Sequence, residues 1–392
     1  MLRRMESRLD SLLDWLMDGA PGATPPELIE RVGTDLRAHG VPVDRLSAFV
    51  TTLHPTIVGR AFRWTPGAAV EITDIRHGLF DSGAVQNSAV AAMRVTGKEL
   101  RIRVSPSEGG YAYPIVEELA AEGFTDYLVL PLVFTDGQTH AVTVASKAPG
   151  GFTDAALDAI RGVMRPLARV VEILALRRTA SNLLSTYVGR NSGARILAGQ
   201  IQKGDFETIH AVIWFSDLRG FTEMSSRLPP REVIDTVNRV FECQVSPIER
   251  RGGEVLEFTG DGILAIFPLG VGNADATVLC DLALDAAREA LDAIAALEVK
   301  GSSPRIGIAL HVGELAYGNV GGANRLDFTA IGLAVNLAAR LEGVTAKLGL
   351  PLVVSEAFAG LTTQTTVALG TFQLKGLPTE VRVFAPTPVP VS

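Results

Sequence analysis

The chain has 392 residues, 47% of them hydrophobic and 20% charged, with a formal net charge of −7. That length allows two domains of ordinary size, and the composition is globular, which excludes a disordered chain. The acidic balance argues against nonspecific nucleic-acid binding, which needs a concentrated basic surface.

No apolar run approaches the ~20 residues needed to span a bilayer. The N-terminus, Met1-Leu-Arg-Arg-Met-Glu-Ser-Arg, is too charged for a secretory signal. Cys243 and Cys280 offer neither a disulfide framework nor metal-ligand spacing. A cytoplasmic protein is expected.

In chain order, residues 1–18 read as an amphipathic helix with Leu2, Met5, Leu9, Leu12 and Leu16 on one stripe. Pro21-Gly-Ala-Thr-Pro-Pro26 breaks the chain, and a second helix follows from Glu27 to about His39. From Ser47 to Lys147 the β-branched and aromatic content predicts strands at 48–54, 60–64, 100–104, 127–134 and 140–146, with a helix over 113–122. Asp136-Gly137 is a hairpin signal between the last two strands.

Residues 154–178 read as a connector helix. Leu157, Ile160, Met164, Leu167, Val171 and Leu174 alternate at spacings of three and four, although Pro166 interrupts the pattern. The helix is expected both to pack on its own domain and to pair with a second copy. A less regular stretch, Thr179–Asp205, follows. Beyond it, strands are expected at 211–215, 255–257, 263–267 and 305–310, and helices at 230–250, 275–297 and 335–348.

Two carboxylates in this last part stand at the ends of apolar, strand-like runs. Asp217 ends Ala211-Val-Ile-Trp-Phe-Ser-Asp217, and Asp261 lies in Val255-Leu-Glu-Phe-Thr-Gly-Asp261-Gly-Ile-Leu. Two segments that each deliver one acid can hold a pair of divalent cations, although each alone reads equally as an Asp in a turn. Asn336 and Arg340, four apart, share one face of a predicted helix.

Four segments together resemble the catalytic domain of the class III nucleotidyl cyclases, the adenylate and guanylate cyclase family, over residues ~205–385. They are Phe215-Ser-Asp-Leu-Arg-Gly-Phe-Thr222, Phe258-Thr-Gly-Asp-Gly262, Ile331-Gly-Leu-Ala-Val-Asn-Leu-Ala-Ala-Arg-Leu-Glu342 and Leu374-Lys-Gly376. The resemblance implies an α+β chain with a ferredoxin-like palm cyclase domain at 205–392. Before it stand a helical, coiled-coil-like connector at 154–204 and, from the order of elements at 1–153, an α+β GAF-like sensor domain with N-terminal helices. The sensor's input, a small molecule or a protein, is open.

By the same resemblance Asp217, Asp261 and the backbone carbonyl of Leu218 hold two Mg²⁺ or Mn²⁺ ions. Gly220, Phe221 and Thr222 seat phosphate oxygens where a turn meets a helix. Asn336 orients the ribose, Arg340 stabilises charge on the reacting α-phosphate, and Lys375 contacts the β- and γ-phosphates. The family builds its centre between two cyclase domains. One such domain per chain implies a head-to-tail homodimer with two equivalent sites.

Of the two positions that read the purine in the family, Glu257 departs from the Lys usual in adenylate cyclases, while Thr329 is one of the residues usual at the second. A carboxylate only accepts hydrogen bonds and suits the N1–H and amine of guanine, whereas a hydroxyl both donates and accepts. ATP is slightly favoured and GTP stays open. Two rivals are a diguanylate cyclase, whose signature Gly252-Gly-Glu254 matches only in part, and a catalytically silent cyclase-like module that dimerises and binds an effector. The presence of Asp217, Asp261, Asn336, Arg340 and Lys375 favours an active enzyme.

Overall fold

The computed structural model describes residues 2–80, 86–105, 110–270, 276–299, 303–377 and 379–387, with backbone alone at 2–8, 79 and 80. The chain forms two compact units, 1–186 and 187–392. Among the described residues no helix is long and apolar enough to cross a membrane.

In the first unit, helices α1 (Leu2–Met17) and α2 (Pro25–Ala38) precede strands β1 (Arg45–Thr51), β2 (Ile57–Trp64) and β3 (Glu71–Arg76). Three short helices, α3 (His77–Phe80), α4 (Ala89–Thr96) and α5 (Pro114–Ala121), alternate with β4 (Leu100–Arg103), β5 (Asp126–Val133) and β6 (Thr139–Ser146). The six strands form one antiparallel sheet in the order β3-β2-β1-β6-β5-β4. Alternation along β6 serves two cores. Val142 and Val144 face α1 and α2, while Ala141 and Ala145 face α4 and α5.

Pro25 and Pro26 open α2 where the sequence suggested a break. Proline is tolerated in a first helical turn because its missing N–H has no partner there, and Glu27 reaches back to the Thr24 N–H at 2.8 Å. β3 escapes a hydrophobic reading because it is an edge strand with exposed charges, among them Asp74, 2.6 Å from Arg60.

Helix α6 runs over Asp154–Val188, so the segment after Thr179 is helical and not irregular. Leu157, Ile160, Met164, Leu167 and Val171 are buried in the first unit's own core. Of the two roles expected of that seam, this is the packing one, and buried side chains are not free to pair with a second copy.

The second unit begins with α7 (Arg190–Leu197) and β7 (Phe206–Leu218). Next come α8 (Phe221–Arg227), α9 (Pro230–Arg250), β8 (Glu254–Thr259), β9 (Gly262–Leu269), α10 (Ala276–Ala295) and β10 (Ile306–Gly321). The path β7-α9-β8-β9-α10-β10, with sheet order β10-β7-β9-β8, is the βαββαβ ferredoxin-like arrangement. β11 (Leu326–Ile331) folds back on β10. After α11 (Leu333–Leu348), strands β12 (Leu352–Ser355), β13 (Thr366–Phe372) and β14 (Val381–Pro386) extend the sheet beyond β10.

Trp214, Ala265, Phe267 and Leu310 pack beneath α10. On the other face, Ala211, Ile213 and Leu264 pack against Ala334 and Ala338 of α11. Sheet position thereby decides which side each residue of β7 serves.

Candidate active site

On β7 the even residues Val212, Trp214 and Leu218 enter the core under α10. Ser216, also even, is buried and donates to Gln244 of α9 at 2.6 Å. Alternation therefore sends Asp217 to the opposite face, towards α11. Pairing of Thr259 with Gly262 leaves Gly260 and Asp261 as a two-residue hairpin turn, with Gly260 at φ +76°. Ser216 pairs with Ile263, which brings that turn beside the end of β7. A Cβ on Gly262 would lie 2.3 Å from the Ser216 carbonyl oxygen, so only glycine permits this approach.

The carboxylates of Asp217 and Asp261 lie close enough for each to shift the other's protonation. Burial, and then the Asp261 charge, push Asp217 up to about 6, while Arg219 pulls the other way. Burial also raises Asp261. Two carboxylates this close cannot both ionise cheaply, and a cation between them removes the conflict. Their oxygens are hard donors of the kind that suits Mg²⁺ or Mn²⁺. Among the described residues no preformed cluster of three or more His, Cys, Asp or Glu side chains adds to them.

A third carboxylate stands nearby. Glu342 of α11 lies 2.9 Å from the Arg219 guanidinium, and burial pushes it up to about 7. Gly307 sits opposite Asp217 across the β10–β7 pair. A Cβ there would be 1.8 Å from Arg219 Nη2 and 2.4 Å from Glu342 Oε1. Sequence reasoning quoted both Arg219 and Glu342 within the matching segments but gave neither a role. Their signal was position, two residues after Asp217 and two after Arg340.

Gly220 adopts the left-handed conformation (φ 70°) that starts α8, while Thr222 is exposed. Asn336 and Arg340 are exposed on α11, whose buried positions include Ala334, Ala338, Leu341 and Glu342. Residues 340 and 342 project roughly 200° apart around a helix. Arg340 therefore points away from the side on which Glu342 meets Arg219. Thr329 is half-buried opposite Gly318, Glu257 is exposed after a bulge in β8, and Lys375 is exposed before β14.

The structure thus brings Asp217 and Asp261 together, with Leu218 and Gly220 following Asp217 in the chain. Among the described residues no hydrogen bond or ion pair links Asn336, Arg340, Glu257, Thr329 or Lys375 to the carboxylate pair.

Glu254, on the strand that leads to Asp261, is a second buried acid. Its carboxylate accepts from Tyr317 Oη at 2.9 Å and from the Ser192 N–H, the Ser192 hydroxyl and Asn191 Nδ2 at 3.1 Å each. Four donors meet the requirement that a buried carboxylate be hydrogen-bonded, and they fasten α7 to the sheet.

A ferredoxin-like sheet with a carboxylate pair where a strand end meets a hairpin turn agrees with the nucleotidyl cyclase catalytic domain that the sequence resembles. Residues 204–385 match the family model described as the adenylate and guanylate cyclase catalytic domain. The chain carries a class III cyclase catalytic domain.

An adenylate cyclase of Anabaena cylindrica is 33% identical over 159 residues, 40% of this chain and 31% of that protein. A bacterial light-regulated adenylyl cyclase structure is 28% identical, with a TM-score of 0.40 over 46% of this chain and 91% of its own. A guanylyl cyclase structure is also 28% identical, with a TM-score of 0.42 over 47% and 94%. The chain spans about a third of the length of the curated relatives it matches.

Proposed function

We propose that this chain is a nucleotidyl cyclase that converts a purine nucleoside triphosphate, ATP in the first instance, into its 3′,5′-cyclic nucleotide and pyrophosphate. The observation that carries the reading is the juxtaposition of Asp217, at the end of β7, with Asp261 in the β8–β9 turn. In the reaction the ribose 3′-oxygen bonds to the α-phosphorus as the bond to pyrophosphate breaks, so alignment and charge neutralisation are the main demands.

Asp217, Asp261 and the Leu218 carbonyl would hold two divalent cations. When bound, these neutralise phosphate charge and lower the pKa of the attacking hydroxyl. Backbone groups at Gly220–Thr222 seat phosphate oxygens, Asn336 orients the ribose, Arg340 balances charge at the α-phosphate, and Lys375 binds the outer phosphates.

The outward direction of Asn336 and Arg340 supports a site completed by a second copy of the chain, a head-to-tail homodimer. α6 offers a surface for it. Ile173, Leu176, Leu183 and Tyr187 stay exposed, and with Ala180 they alternate at spacings of three and four. This stripe replaces the buried 157–171 seam as the pairing face.

The six-stranded sheet order with helices on both faces supports a GAF-like regulatory domain before the cyclase domain. A cytoplasmic location goes with a nucleoside triphosphate substrate. GTP is the second substrate reading, because exposed Glu257 offers an acceptor to the purine edge.

The test is product analysis of the purified chain with Mn²⁺ and either ATP or GTP. Equal amounts of cyclic nucleotide and pyrophosphate are expected. Release of inorganic phosphate, or no turnover with either nucleotide, contradicts the reading.

A further inference from the structure

A cavity of about 410 Å³ lies wholly within the first unit, between α2, strands β1–β3 and α6. It falls in the size range of small-molecule sites. Leu28, Ile29, Phe62 and Val171 are buried on its wall, and Val50 and Leu174 are half-buried there. A wall this apolar favours a ligand with an aliphatic body, which leaves water on entering.

Helix α6 contributes one stripe. Val171, Leu174, Ala175, Arg178, Ser181 and Asn182 all line the cavity and recur at helical spacings of three and four. The exposed stripe of Ile173, Leu176, Leu183 and Tyr187 lies roughly half a turn away around the helix. Pairing along that second stripe would leave the cavity uncovered.

The charges on the wall are of one sign. Arg60, Arg177 and Arg178 line the cavity, and no Asp or Glu does. Arg60 is answered by Asp74 at 2.6 Å, and Glu27, beside Pro26 of the wall, is turned to the Thr24 N–H. Among the described residues neither Arg177 nor Arg178 has a hydrogen bond or ion pair from its side chain. Both are exposed and yet touch the cavity. A long side chain that does both lays its methylene stem along the apolar wall and keeps its charged end in water, at the mouth. An aliphatic interior thus opens between two unanswered positive charges.

We propose that this cavity binds a single-chain aliphatic carboxylate. The hydrocarbon chain lies among Leu28, Ile29, Phe62 and Val171, and the carboxylate accepts hydrogen bonds from the guanidinium groups of Arg177 and Arg178 at the mouth. The site is separate from the cyclase chemistry, and its test does not depend on turnover.

The probes are octanoate, decanoate and dodecanoate, titrated calorimetrically into the full chain below micelle-forming concentrations, with dodecyltrimethylammonium as the cationic counterpart. Dodecanoate should saturate at about one molecule per chain, and affinity should rise about fourfold per methylene along the series. Dodecyltrimethylammonium should bind at least about tenfold more weakly than dodecanoate. Replacing both exposed arginines, Arg177→Gln with Arg178→Gln, should weaken dodecanoate by about tenfold or more. No saturable binding, affinity independent of chain length, a cation bound as tightly as dodecanoate, or unaltered dodecanoate affinity in the double variant would overturn the proposal.

Discussion

Glu342 Oε1 lies 2.9 Å from the Arg219 guanidinium, and this ion pair fills the space that Gly307 leaves open opposite Asp217. The pair fixes the rotation of α11 about its axis. With Glu342 turned inward, Arg340 must face outward, and the one helix then serves two directions. Gly307→Ala would press a methyl group into the pair. A loss of about 1–3 kcal/mol in stability, together with reduced turnover, is expected, and thermal unfolding with an activity assay would check it.

Asp217→Ala or Asp261→Ala should abolish metal-dependent turnover while leaving the fold intact, since both side chains lie at a strand end and a turn. Losing one carboxylate of a shared two-cation site should cost on the order of a thousandfold or more in rate. Circular dichroism and a Mn²⁺ titration of activity are the measurements. Near wild-type turnover by either variant would remove the assignment.

Stability should depend on pH through two groups of opposite sign. His311 is buried beside Ser355 Oγ at 2.8 Å, and burial holds its pKa near about 4. An unfolded histidine titrates near 6.5. The stability His311 contributes is therefore full above pH ~6.5 and lost as pH falls to ~4, by at most about 1.4 kcal/mol per pH unit.

Glu342, raised from 4.5 to about 7, works the other way, because the folded chain holds an extra proton and loses stability as pH rises through that window. Urea unfolding at several pH values should show a shallower acid loss in His311→Asn and a shallower alkaline loss in Glu342→Gln. Unchanged slopes would contradict these environments.

Base preference should respond to Glu257. A site that hydrogen-bonds one purine leaves polar groups unpaired with the other, at roughly 1–3 kcal/mol per group. Glu257→Lys should move the ratio of kcat/KM towards ATP over GTP. An unchanged ratio would mean that Glu257 does not touch the base.

The sequence disclosed the central palm well, because β7, β9 and α9 carry long apolar patterns and the two aspartates stand at their ends. Strands 326–331, 352–355, 366–372 and 381–386 were not read, being short or mixed in polarity. Their partners are also distant in the chain, as when β12 pairs with β10 in parallel. The Arg219–Glu342 pair was hidden for the same reason. Its members lie in separate segments, and only the register of β7 against β10 and the packing of α11 bring them together. His54, His77 and His140 looked scattered, yet His77 meets the His54 carbonyl at 3.1 Å and lines the same cavity as His140.

The central claim, a site completed by a second copy, is tested most directly by mixing an Asp217→Ala chain with an Arg340→Ala chain. Each alone should be inactive. In the heterodimer one of the two sites has every group intact, so cyclic nucleotide production should return to a substantial fraction of the wild-type rate. No recovery in a mixture shown to contain heterodimers would contradict the account and place each site within a single chain.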